Sequence, residues 1–129
     1  MLVADTNVWA RAYLNDDTAQ ARKARKVLAE GRGKGGIFVP LIVLAELSWV
    51  LRAKWERARV LDALEKLLHT RGVHVESPAL AQEAIEATRQ GKGGFADHLM
   101  AQFGFTHGAL EIVTFDAKFA KSPKVRRIE

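Results

Sequence analysis

Short β-capable runs that alternate with stretches of helical periodicity constrain this chain more than any other feature. Met1 to Ala4, Ile37-Phe38-Val39, Val73 to Glu76 and Leu110 to Phe115 each read as a strand, and Val125 to Ile128 as a short last one. Between the first two, Val8, Trp9, Ala12 and Tyr13 repeat at helical spacing over Thr6 to Leu14. Asn15-Asp16-Asp17-Thr18 then punctuates the chain and can cap a helix over Ala19 to Ala29 that closes at Gly31. Pro40 suits the first turn of a helix reaching about Lys54, and Val60, Leu61, Leu64, Leu67 and Leu68 form the apolar stripe of the next, stopped by Gly72. Pro78 opens a helix to about Thr88, and Gly91, Gly93 and Gly94 make a loop before another helix near Phe95. Parallel strands need crossover connections, so this alternation predicts an α/β domain with a parallel sheet between helices. Ligands of such sheets lie beyond the carboxyl ends of the strands, and Asp5 and Asp116 each follow a strand directly.

At 129 residues and 48% hydrophobic, the chain suits one domain over residues 1–129 with one core, and therefore one site. The absence of cysteine removes disulfides, thiolate zinc sites and cysteine nucleophiles, and suits a reducing cytoplasm. The start Met1-Leu2-Val3-Ala4-Asp5 is unlike a signal peptide, and the apolar run Ile37 to Ala45 is too short to span a bilayer. The expectation is a protein of the cytoplasm with no membrane partner. Twenty Lys and Arg against fifteen Asp and Glu give a net charge of +5, a balance that favours a polyanionic partner. The basic residues cluster at Arg22, Lys23, Arg25 and Lys26, at Arg52, Lys54, Arg57 and Arg59, and at Lys121, Lys124, Arg126 and Arg127, where each cluster alone is also what a solvated face looks like.

Four carboxylates stand in costly places. Glu46 is the only charge between residues 36 and 51, on a helix expected to be largely buried, where an ionised carboxylate without a partner is expensive. A salt bridge or a narrow wet side of the helix would also explain it. Asp5 follows a strand and could simply cap the next helix; Asp97 falls in the first turn of its helix, where the backbone favours an anion; Asp116 could cap Ala117 to Lys121. Together they point elsewhere. Converging carboxylates repel unless a cation intervenes, and all-oxygen donors suit Mg2+ or Mn2+. Such an ion activates water and offsets charge on a phosphate, while a free carboxylate accepts the proton.

The same residues carry a resemblance. Leu2-Val3-Ala4-Asp5-Thr6-Asn7, Leu44-Ala45-Glu46-Leu47, Phe95-Ala96-Asp97-His98-Leu99-Met100-Ala101 and Ile112-Val113-Thr114-Phe115-Asp116-Ala117-Lys118-Phe119 are similar, in order and spacing, to the motifs of PIN-domain nucleases, especially VapC-type toxins. The resemblance implies a three-layer α/β/α PIN-like fold with a central parallel sheet, a homodimer, and Mg2+- or Mn2+-dependent endonucleolytic cleavage of RNA. It implies Asp5 and Asp97 as direct metal ligands, Glu46 and Asp116 as completing the acidic cluster, and a cognate antitoxin protein as partner. Thr6, Asn7 and Thr114 match polar positions that support such sites by hydrogen bonding. Many relatives carry one more acid shortly after the last aspartate, where this chain has Ala117 and Lys118, and the departure counts against a second metal.

Other chemistries fit less well. His69, His74, His98 and His107 lack a paired zinc spacing and suit surface or helix-terminal roles, and Gly31 to Gly36 has no P-loop ending. Ser48 and Ser77 lack nucleophile-elbow glycines, and Trp9, Trp49 and Trp55 suit a core or a dimer interface better than base stacking. Two rivals stay open: a catalytically silent PIN-like module that binds RNA or a partner, and phosphoryl transfer through an aspartyl-phosphate, for which Asp5 lacks neighbouring acids.

Overall fold

A computed structural model describes all residues, Met1 to Glu129. They form two compact units, Met1–Pro78 and Ala79–Glu129. In the first, β1 (Leu2–Val3), β2 (Ile37–Val39) and β3 (Val73–Val75) pair in parallel in the order β1-β2-β3. Leu2 stands opposite Ile37, and Ile37 opposite Val73, so the central strand has a partner on each side. Ile37 and Val39 are completely buried there, as a short β-branched run in a covered parallel sheet requires.

The helices of this unit follow the apolar pattern. In α1 (Thr6–Leu14), Thr6, Trp9 and Ala10 face inward, and Asn15 closes the helix in the left-handed conformation that asparagine tolerates. In α2 (Thr18–Gly33), Asp17 caps the start by accepting from Gln20 N at 3.1 Å. Pro40 stands just before α3 (Leu41–Arg52), where its fixed φ costs nothing and its missing N–H is not needed. The first free N–H of that helix, Leu41 N, donates to the Glu76 carboxylate at 2.9 Å. Leu44, Leu47 and Leu51 are fully buried, as are Val60, Leu61, Leu64 and Leu67 of α4 (Arg57–Leu68), whereas Leu68 is only half-buried. α4 ends at Leu68, ahead of Gly72.

The second unit holds α5 (Pro78–Gln90, from Ala79 onward), α6 (Phe95–Thr106), β4 (Ile112–Thr114), a 3-10 turn at Phe119–Lys121 and β5 (Val125–Arg127). β4 and β5 are again parallel, with Ile112 opposite Val125 and Thr114 opposite Arg127. An exposed ion pair, Arg126 to Glu111 at 2.9 Å, flanks this ladder. The expected strand Leu110 to Phe115 is cut to its middle three residues, and Leu110 and Phe115 are exposed. Phe119 and Ile85 are instead the large apolar side chains that this unit buries fully. The α/β alternation and the parallel pairing are thus as the sequence requires, with hydrogen bonding dividing the strands into a sheet of three and a sheet of two. No helix is long and apolar enough to cross a membrane.

Candidate functional site

The first unit presents Asp5, Thr6 and Glu46. β1 and Ala4 deliver the chain to Asp5, whose backbone is extended (φ −61°, ψ 152°) and whose carbonyl accepts the first hydrogen bond of α1, from Val8 N at 2.9 Å. The backbone sits at the N-cap, yet the carboxylate makes no capping bond. Capping therefore does not account for an aspartate at this position. Thr6 is buried, at 7% exposure, and its hydroxyl donates to Glu46 Oε1 at 2.8 Å across a separation of forty residues. One oxygen of Glu46 is fixed by this bond.

Glu46 itself corrects an expectation. The helix that carries it is not buried all round: Ile42 (68% exposed), Glu46 and Trp49 (67%) lie at i, i+4 and i+7 on one wet stripe of α3. The apolar sequence hid that stripe, because isoleucine and tryptophan occupy two of its positions. Glu46 escapes the desolvation cost that its sequence context suggested. Asn7 is also exposed, and with Val8 and Arg11 it lines a cleft of about 480 Å³ against Gln20, Lys23 and Val27 of α2.

The second unit presents Asp97 and Asp116. Asp97 lies in the first turn of α6, and its Oδ2 accepts from Gly94 N at 3.0 Å. Gly93 permits that turn: its φ is +93°, and a Cβ there would stand 3.2 Å from both Asp97 Oδ2 and Phe119 Cβ. Asp116 follows β4, and its Oδ1 accepts from Lys118 N at 2.8 Å and Phe119 N at 3.1 Å, an Asx turn into the 3-10 segment. Thr114 Oγ1 accepts from Asp116 N at 3.0 Å, so the threonine holds the backbone of the aspartate rather than its carboxylate. Here the capping explanation is realised on one oxygen of each acid. The other oxygen of each carries no protein hydrogen bond.

In neither unit do three His, Asp or Glu side chains come together as a ready metal-binding group. The donor chemistry nonetheless suits a hard ion: every candidate ligand is a carboxylate oxygen, and the Asp5 carboxylate makes no cap bond. Two residues escaped the sequence analysis. Glu76 ends a strand as Asp5 and Asp116 do, but it spends an oxygen on Leu41 N. His98 is helix-terminal, in the first turn of α6, but not at the surface; it is 3% exposed, and its ring packs edge-on against Phe119 at 5.3 Å.

Residues 2–125 match the PIN domain family, a span that runs through both units and takes in Asp5, Glu46, Asp97 and Asp116. The chain is a PIN-domain protein. This PIN domain is 29% identical over 124 residues to a VapC ribonuclease of Aquifex aeolicus (strain VF5), an alignment that covers 94% of this chain and 91% of that protein. Among solved structures it is similar to Mycobacterium tuberculosis VapC20, a toxin that cleaves the sarcin-ricin loop, at 23% identity and a TM-score of 0.47 over 98% of this chain and 99% of that one.

Proposed function

We propose that this PIN domain is a metal-dependent endoribonuclease, the toxin of a toxin–antitoxin pair acting in the cytoplasm, with the two units as halves of one nuclease domain. The observation that carries the proposal is the Thr6–Glu46 bond beside an uncapped Asp5. Glu46 is held through one oxygen and Asp5 makes no cap bond, so neither carboxylate serves the helix it sits on. The relationship to a VapC ribonuclease supports the choice of RNA. Asp5 and Asp97 would hold Mg2+ or Mn2+, with Glu46 and Asp116 completing the cluster. The ion would supply Lewis acidity, making water a better nucleophile and offsetting negative charge on the phosphate.

The chain's own residues do the rest. Thr6 fixes Glu46 through Oε1 and leaves Oε2 to orient an attacking water and take its proton. Gly94 N and the amides of residues 118 and 119 each occupy one oxygen of Asp97 and Asp116, so those carboxylates are oriented before any ligand arrives. Arg and Lys side chains, in net excess by five, attract the phosphate backbone. A homodimer is part of the proposal, and the exposed Ile42 and Trp49 on α3 are apolar surface of the kind such an interface covers. A cognate antitoxin would be the protein partner that keeps the enzyme silent.

The test is cleavage of total cellular RNA by purified protein with Mg2+, Mn2+ or EDTA, followed by mapping of the new ends. Discrete ends that need the ion are expected. Full cleavage in EDTA, or no cleavage with either ion, would overturn the proposal.

A further inference from the structure

His98 is a titratable side chain buried beside a candidate ligand and not used by the chemistry above. Its Nε2 lies 2.7 Å from the carbonyl oxygen of Lys92. A carbonyl can only accept, so Nε2 carries the proton and donates. Ser122 Oγ reaches toward the same oxygen at 3.5 Å. Lys92 is the middle of the glycine loop: Gly91 precedes it, and Gly93 and Gly94 follow. The imidazole is pinned from its other side by Phe119, with the rings at 79°.

The loop is packed as tightly against His98 as against Asp97. A Cβ on Gly91 would meet His98 Cε1 at 3.1 Å and Ala87 O at 2.8 Å; a Cβ on Gly93 would meet Asp97 Oδ2 at 3.2 Å. His98 and Asp97 are adjacent on α6, and they hold the same four-residue loop at two points, one through Lys92 O in its middle and the other through Gly94 N at its end. Moving the loop at residue 92 moves the N–H that orients the Asp97 carboxylate. We infer that His98 is a positioning residue of the nuclease site, fixing the glycine loop through the Lys92 carbonyl so that Asp97 Oδ2 stays on Gly94 N and Oδ1 is presented to the metal ion. The inference rests on the reading of Asp97 as a metal ligand.

The pair His98→Gln and His98→Asn tests it, because both are neutral amides and only glutamine places its N–H near the position of Nε2. Three quantities are read: glycine amide resonances in the metal-free protein, Mn2+ affinity by calorimetry without RNA, and kcat and KM on a cleaved RNA. H98Q is expected to keep all three. H98N is expected to shift the Gly93 and Gly94 amides, to weaken Mn2+ by about tenfold or more, and to lower kcat with KM unchanged. Wild-type Mn2+ affinity in H98N, or equal loss in H98Q and H98N, would overturn the inference while leaving the nuclease reading intact. A wild-type protein that neither binds Mn2+ nor cuts RNA would overturn both. Should H98N fail to fold, Gly91→Ala displaces the same loop with His98 present; it is expected to weaken Mn2+ with KM unchanged, and wild-type affinity there would overturn the inference.

Discussion

At the scale of single residues, the question is whether each acid serves the fold or the ion. Asp5 makes no cap bond, and asparagine caps about as well as aspartate, so Asp5→Asn should leave metal-free stability unchanged. The same holds for Asp97→Asn, because the amide oxygen can still accept from Gly94 N. Magnesium at a hundred times its dissociation constant should stabilise the parent by about 2.7 kcal/mol and both variants far less, and both should lose cleavage. Thermal unfolding with and without Mg2+ checks this, and an unchanged shift in both variants would defeat the metal-site reading. Thr6→Val, which keeps the shape and removes the donor to Glu46 Oε1, is expected to lower kcat by about tenfold or more, while Thr6→Ser restores it. Tyr13, the chain's one tyrosine, gives an independent check on the packing of α1: burial raises its phenol above the ordinary 10.0, with the charge of Arg32 pulling the other way. Its contribution to stability is thus fully present below pH 10.0 and is lost as pH rises through the folded-state value. An ultraviolet titration midpoint at or below 10.0 would contradict that burial.

At the scale of elements, the periodic segments were legible and their surroundings were not. The stripe Val60, Leu61, Leu64 and Leu67 reads directly as the buried face of α4, because a helix with one wet side must repeat in this way. Leu47, completely buried in α3, should cost about 2–5 kcal/mol when cut to alanine, measured by denaturant unfolding. Of the readings the sequence left open for Glu46, the wet side of α3 is the one realised, and its extent was hidden because Ile42 and Trp49 break the link between hydrophobicity and burial. The Thr6–Glu46 and Glu76–Leu41 bonds were beyond reach for a different reason: each joins residues 35 or more apart, and periodicity carries no information at that range. His98 was missed because one histidine in an apolar helix has the same pattern whether it faces water or Lys92 O. Glu76→Ala removes the acceptor for the start of α3 and should cost about 1 kcal/mol, whereas Glu76→Gln should cost much less.

At the scale of the whole molecule, net charge and the covered strand matter most. If an excess of five positive charges draws in RNA, the logarithm of affinity should fall linearly with the logarithm of salt concentration; a flat response between low and physiological salt would make the charge incidental. Light scattering across micromolar concentrations decides the homodimer, and a monomer throughout would remove it. The central strand β2 has further meaning for how the protein opens. Ile37 and Phe38 have a neighbouring strand on each side, Ile37 N donates to Gly72 O at 2.8 Å, and Ile37 and Val39 see no solvent. An amide in that position cannot meet hydroxide until the sheet around it comes apart, so Ile37 should exchange its proton for deuterium on the timescale of global unfolding, long after the amides of β5, whose arginines are exposed. The amide of Ile37 would then report the lifetime of the native state.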